Sequence, residues 1–259
     1  MTTMTAFSDD PVLDIRRLVK HYGKHEAVRD ISFQVRPGEI VGFLGPNGAG
    51  KTTSLKIIGG LLLPTSGDVR ICGRSIADDP VSTRRLLGYV PDRPFVYERL
   101  TGNEFLDFIA DLYELHRPEA TRDTGHWLKR FGLASFADER IEQYSHGMKQ
   151  RLVMAAAFFR KPRALVIDEP MVGLDPQGAR LVKSVFRETA DKGAGVVLST
   201  HSLAVAEQVC DRVVILHKGR IIAEGALHEL RGRTGLEGGA LEDVFLALTE
   251  EQAVEVGAR

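Results

Sequence analysis

The chain has 259 residues, 43% of them hydrophobic, which is enough for a well-buried core in one large domain or two small ones. Lys and Arg total 34 against 35 Asp and Glu, a net charge of -1. The basic excess that drives binding to a phosphate backbone is missing, so nucleic acid is not the expected partner. The two cysteines, Cys72 and Cys210, lie far apart with no C-x-x-C pair. They fit neither a disulfide framework nor a zinc site and point to a reducing compartment.

Residues 1–11 are polar and carry Asp9 and Asp10, without the basic start and apolar run of a secretory signal. The run 39–45 is apolar and β-branched and reads as a strand, as do 87–91, 165–168, 196–200 and 212–216, with helical patterns between them. Such alternation predicts an α/β fold with a mostly parallel sheet. Ile40-Val41-Gly42-Phe43-Leu44 and Leu165-Val166-Ile167 are nearly continuous in apolar residues, as strands covered on both faces are, and are expected at the core of that sheet. Both end at candidate catalytic residues, and open α/β sheets bind ligands beyond the carboxyl ends of their strands. Residues 101–136 differ: Thr101-Gly102-Asn103-Glu104 is a capping box followed by Phe105, Phe108, Ile109 and Leu112 at helical spacing, which predicts a small helical insertion. Apolar stretches such as 153–159 fall well short of the roughly 20 residues that span a bilayer, so a membrane role would need another chain. From 221 onward there are short apolar pieces, a Gly-rich link at 235–239 and a final amphipathic turn or two over 241–248.

The chemistry is carried by motifs at the ends of these strands. Gly45-Pro46-Asn47-Gly48-Ala49-Gly50-Lys51-Thr52 satisfies G-x-x-x-x-G-K-[ST] between an apolar strand and a helix starting near Gly50. Glycines there let backbone N–H groups curl around phosphate oxygens, the helix start adds its positive end, Lys51 reaches the β/γ oxygens and Thr52 offers a hydroxyl to magnesium. Thr53 is expected at the α-phosphate. Leu165-Val166-Ile167-Asp168-Glu169-Pro170 is an apolar strand ending in two acids, which suits Asp168 to hold Mg2+ through water and Glu169 to polarise the attacking water. Tyr144-Ser145-His146-Gly147-Met148 precedes a helical run and offers a serine near a helix N-terminus, where an anion is favoured. Asp175-Pro176 reads as an N-cap followed by proline at the first helical position.

The order of these segments, 45–52, 145–151, 165–169, 173–176 and His201 after the strand 196–200, resembles the ATP-binding cassette (ABC) family over residues 12–226. The resemblance implies a P-loop fold of α/β class, with an antiparallel N-terminal β subdomain, a helical subdomain at about 93–160, and residues 227–259 as a short C-terminal extension. It implies that ATP and Mg2+ are bound and ATP is hydrolysed, with Glu169, His201 and Lys51 catalytic. It implies further that Ser145 and Gly147 face the γ-phosphate of ATP held by a second cassette, that Asp175 links the two sites, and that Tyr22 stacks on adenine.

Three residues depart from that pattern. Gly88-Tyr89-Val90-Pro91-Asp92 carries an aspartate where the family usually has a glutamine; Asp92 still suits a hard cation but adds negative charge beside the γ-phosphate. His146 and Met148 replace a usual glycine and glutamine, and an imidazole there either crowds the interface or adds a phosphate donor. Residues 91–92, 100–104, 147–151 and 241–246 are similar to the separate ATPase subunits of bacterial drug and antibiotic exporters. The resemblance thus implies an integral membrane permease as partner, docked near residues 93–113, and a place on the cytoplasmic face of the membrane. The competing reading, a cassette acting on ribosomes or DNA, lacks the paired cassettes or long coiled-coil insertions that mark such proteins.

Overall fold

The computed structural model describes residues 10–236 and 238–257. The polar segment through residue 9, Glu237 in the Gly-rich link and the last two residues of the C-terminal extension lie outside the described residues. In chain order the elements are β1 (Leu13–Tyr22), β2 (His25–Val35), β3 (Ile40–Leu44), α1 (Lys51–Ile58), β4 (Ser66–Ile71), β5 (Arg74–Ser75), α2 (Pro80–Leu86) and β6 (Leu87–Val90). There follow α3 (Gly102–Leu112), α4 (Arg117–Arg130), α5 (His146–Phe159), β7 (Ala164–Asp168), α6 (Pro176–Asp191), β8 (Gly195–Ser199), α7 (Leu203–Val209), β9 (Arg212–His217), β10 (Arg220–Ala226), α8 (Leu227–Thr234) and α9 (Leu241–Gly257). Among the described residues no helix is long and apolar enough to cross a membrane.

Two sheets form. β2-β1-β4-β5 is antiparallel, and β10-β9-β3-β8-β7-β6 is parallel apart from β10, which runs against β9. The five strands expected from the apolar runs are β3, β6, β7, β8 and β9, and they make the parallel part. β3 and β7 are both central, but β8 lies between them: Val41 pairs with Val197, and Val166 pairs with Val197 from the other side. Every residue of β3, β7 and β8 is buried, the pattern of strands covered on both faces.

The period-2 alternation of these strands divides the core in two. Val41, Phe43, Val166, Val197 and Val214 face the antiparallel sheet and α1, where Phe33 stacks on Phe43 with ring centroids 5.4 Å apart. Ile40, Leu165, Ile167, Leu198 and Ile215 face α5, α6 and the helical region. That second cluster runs on through Trp127, Phe131, Phe158 and Phe186, which tie α4, α5 and α6 together, and takes in Leu241 and Val244 of α9. The C-terminal helix is longer than the turn or two read from the sequence, and it is packed on the same core.

Local chemistry sets the helix starts. Thr101 Oγ1 accepts from Glu104 N–H at 3.2 Å and Glu104 Oε2 accepts from Thr101 N–H at 2.8 Å, a reciprocal cap of α3. Phe105 and Leu106 are buried behind it, whereas Phe108 and Leu112 remain exposed. Away from the site, Arg212 pins the two sheets: its Nε donates to Glu39 at 2.5 Å, its Nη1 to Glu224 at 2.6 Å, and its Nη2 to the Gln34 carbonyl.

Candidate functional site

The site lies at the carboxyl ends of β3, β7 and β8. After β3 the chain enters the phosphate loop, where backbone crowding excludes side chains at two points. A Cβ on Gly45 would stand 2.2 Å from the Leu216 carbonyl oxygen, and one on Gly50 would stand 2.4 Å from that of Ala27. Gly50 caps α1 in the left-handed region (φ 103°), with no side chain occupying the first N–H groups of the helix. Lys51 Nζ donates to the Gly45 and Pro46 carbonyls at 2.5 and 3.1 Å. Burial lowers the Lys51 pKa, and the charges of Glu169 and Asp168 oppose that shift.

Gly48, Gly50, Lys51, Thr52 and Thr53 share a hollow of ≈ 270 Å³ with Tyr22. The loop therefore faces the aromatic at the end of β1. Tyr22 is exposed, with Lys20 Nζ 5.3 Å from its ring centroid. On the other side Gly45, Pro46 and Asn47 share a second hollow of ≈ 240 Å³ with Thr200 and His201. Ala49 is buried beneath the loop.

The acidic pair ends β7. Asp168 is buried and stands beside Ser199 of β8, its partner in register. Asp168 Oδ2 and Ser199 Oγ are enclosed with no direct hydrogen-bond partner among the described residues. Burial raises the Asp168 pKa; the neighbouring Ser199 and Thr52 hydroxyls lower it, and the charges of Asp92 and Glu169 raise it further. Those four neighbours place Thr52, Asp92, Asp168 and Glu169 in one electrostatic unit. Thr52, Asp92 and Asp168 make an all-oxygen donor set, and an orphaned buried carboxylate oxygen among them fits a hard divalent cation such as Mg2+.

Glu169 breaks the strand. Its φ of 49° lies in the left-handed region, at a cost of about 1–2 kcal/mol for a residue with a Cβ. Its N–H donates to the Ser199 carbonyl at 3.0 Å, and its own carbonyl accepts from Val172 N–H at 3.3 Å. This turn sets the carboxylate under the exposed imidazole of His201, whose Nδ1–H donates to Glu169 Oε2 at 2.8 Å.

The serine-led segment is built differently. Ser145 caps α5, its Oγ accepting from Met148 N–H at 3.3 Å, and it is exposed. Asp175 caps α6 with Oδ1 accepting from Gly178 N–H at 2.8 Å, and Pro176 follows at the first helical position. Gly147 lies so close to the loop before Asp175 that a Cβ on it would stand 2.6 Å from the Gly173 carbonyl oxygen. The His146 ring covers Gly173, where a Cβ would meet its Cδ2 at 2.6 Å, and Met148 packs on the second core. Both departures from the usual segment thus have a packing role inside this chain. Neither Ser145 nor Gly147 lines the hollows around the phosphate loop.

A family model described as "ABC transporter" matches residues 28–172. The linearmycin resistance ATP-binding protein LnrL of Bacillus subtilis (strain 168) is 36% identical over 224 residues, covering 86% of this chain and 72% of that protein. The chain belongs to the ABC transporter family. Its fold matches a solved ATP-binding subunit of an ABC transporter with a TM-score of 0.88 and 39% identity, over 92% of this chain and 99% of that one. The ATP-binding cassette MJ0796, solved as a dimer in a post-hydrolysis state with ADP and Pi, matches with a TM-score of 0.76 and 27% identity, over 83% and 98%. The cassette described above is accordingly an ATP-binding ATPase subunit.

Three side chains of this cassette's site were not singled out from the sequence. His25 lines the hollow with Tyr22, Ser199 flanks Asp168, and Phe245 of α9 closes the hollow beside His201 and Pro46. His25 is only three positions beyond Tyr22, so the turn between β1 and β2 was a usable signal. Ser199 and Phe245 arrive through strand order and tertiary packing.

Proposed function

We propose that this chain is the motor subunit of an export-type transporter. Two cassettes, identical or homologous, close head to tail around two ATP molecules and drive a separate integral membrane permease from the cytoplasmic face of the membrane. The observation that carries this reading is the division of the ATP-facing motifs. Lys51, Thr52 and His201 line the hollows at the phosphate loop and the charges of Asp168 and Glu169 act on Lys51, whereas Ser145 and Gly147 stand exposed or half-buried at the start of α5 and line neither hollow. One chain therefore supplies two incomplete halves, and a second chain completes each.

In the closed pair the non-proline residues of 45–50 cradle phosphate oxygens with backbone N–H groups, Thr53 contacts the α-phosphate, and Tyr22 stacks on the base. Glu169 takes the proton of the attacking water, steadied by His201, while Lys51 and His201 offset charge on the transferred phosphoryl group. Thr52, Asp168 and Asp92 would hold Mg2+, which when bound neutralises charge between the phosphates. Ser145 and Gly147 of one cassette contact the γ-phosphate in the other, and Asp175 joins the two sites.

The cassette spans 12–226, with the helical subdomain at about 93–160 and 227–259 as an extension; the packing of Leu241 and Val244 on the shared core supports treating that extension as part of one body. Docking of the permease is supported by an apolar groove of ≈ 200 Å³ whose lining includes Pro91, Phe95, Phe105, Ile109 and Tyr113, with Phe95 75% exposed. The name of the linearmycin resistance relative and the runs 91–92, 100–104, 147–151 and 241–246 support export.

The test is to tag the protein, solubilise its native membranes in mild detergent and identify what co-purifies by mass spectrometry. A polytopic membrane protein in near-stoichiometric yield is the expected result. Recovery of ribosomes, DNA or soluble proteins alone overturns the transport assignment and leaves the ATPase intact.

A further inference from the structure

A cavity of ≈ 440 Å³ opens where the C-terminal ends of α5 and α6 meet α4. Its floor is apolar, built from half-buried Trp127 with buried Phe158, Pro162 and Ala194. Its size falls within the range of about 300–1,000 Å³ that small-molecule sites occupy. The rim carries cations. Among the described lining residues Asp123 is the acid, and Lys161 Nζ engages it at 2.7 Å. Two acids on the last turns of α6 are likewise engaged, Glu188 by Arg130 and Asp191 by Arg187. Arg163 and Lys192 are exposed at the rim and make no ion pair or side-chain hydrogen bond among the described residues. An apolar floor under two uncommitted cations is the complement of an amphipathic anion, because the apolar body gains by leaving water while the charged head keeps both solvent and a counter-charge.

The position of the cavity gives it a use. α5 starts at the Ser145 cap and α6 at the Asp175 cap, the two segments that the proposed function sets against a partner's nucleotide, and both helices end at this cavity. At 1.5 Å per residue the cavity lies roughly 20 Å from those caps. A molecule seated between α4, α5 and the end of α6 contacts the helical region and the ATP-binding core together. If it fits one of their relative orientations better than another, it shifts the population of the closed pair.

We propose that this cavity is an effector site for an amphipathic monocarboxylate, with Trp127 and Phe158 receiving the apolar body and Arg163 and Lys192 the carboxylate. Trp127 is the single tryptophan of the chain, so its emission reports on the cavity directly. Decanoate, titrated below its micellar concentration, should change Trp127 emission saturably, with decanol about tenfold weaker because it lacks the charge. The double variant Arg163→Glu with Lys192→Glu should weaken decanoate by about tenfold or more while leaving decanol unchanged. Saturating decanoate should alter ATP turnover of the wild type by about fivefold and leave that of the double variant unaltered. By linkage, ATP should shift decanoate affinity in the catalytically silent Glu169→Gln variant by the factor that decanoate shifts ATP affinity there.

A linear, unsaturating response to decanoate in the wild type overturns the proposal whether or not the double variant folds. Equal binding of decanol, or charge reversal without effect on decanoate, overturns the assignment of the two cations. Saturable binding with no change in turnover overturns the effector role.

Discussion

The phosphate-loop half of the site and the serine-led half are held by different means. Asp168 ends and Glu169 follows a fully buried strand, both are positioned by the neighbouring strand at Ser199, and His201 is hydrogen-bonded to Glu169 at 2.8 Å. Ser145 and Asp175 each cap a helix with one hydrogen bond and otherwise face solvent. The first half carries costs internal to the chain, a left-handed glutamate and an enclosed carboxylate oxygen without a partner. The second carries no such strain at its two caps, and its exposed polar groups remain available. Under the proposed function, strain and burial mark the side where bonds are broken, and exposure marks the side offered to a second cassette.

Glu169→Gln is expected to have the largest effect. Turnover should fall about 100-fold or more, as for loss of a general base, with ATP still bound, and both are read by phosphate release and equilibrium binding. Near-normal turnover would remove Glu169 from the role of base.

Ser145→Gly addresses the other half. Glycine is a tolerable N-cap, so unfolding in urea should shift by only roughly 0.3 kcal/mol. Turnover should nevertheless fall about tenfold or more if the hydroxyl completes the partner's site. Unchanged turnover would reduce Ser145 to a cap and erase the contrast between the halves.

Tyr22→Ala should then weaken ATP binding by about tenfold through loss of stacking, with turnover at saturating ATP nearly preserved. A fall in turnover with affinity intact would move Tyr22 from the base to the chemistry.

The smallest effect is thermal. Burial raises the Asp168 pKa, so its contribution to stability is present below the ordinary carboxylate pKa and is lost as pH rises through the raised value. At neutral pH the folded chain carries the cost of an ionised buried carboxylate. Asp168→Asn should therefore raise the nucleotide-free melting temperature by roughly 2 °C or more at pH 7, with the gap closing as pH falls. A melting temperature lowered at pH 7 would show that the carboxylate is satisfied in the fold.

Much of this contrast was legible beforehand where the signal is local. The capping box at Thr101 and Glu104, the caps at Ser145 and Asp175, the glycines of the phosphate loop and the five core strands depend on neighbours a few residues away. The antiparallel sheet entered only through resemblance. β1 is irregular, with shifts of register after Ile15, Leu18 and Lys20 and a left-handed Arg17, which destroys the period-2 signal that betrays a strand. β10 and the full length of α9 were likewise unread.

What the sequence determined by itself is the set of chemical groups and the turns that present them: a loop that wraps phosphate, an acidic strand end, two helix caps and an aromatic. Those follow from backbone sterics and short-range hydrogen bonding, which the order of residues dictates directly. Only the tertiary structure decided that β8 separates β3 from β7 and so sets Ser199 against Asp168. The same packing brings Phe245 to the edge of the phosphate loop and lets α5 and α6 run from the caps at Ser145 and Asp175 to a common cavity. These depend on which apolar faces bury one another across the sheet, a free energy summed over residues far apart in the chain.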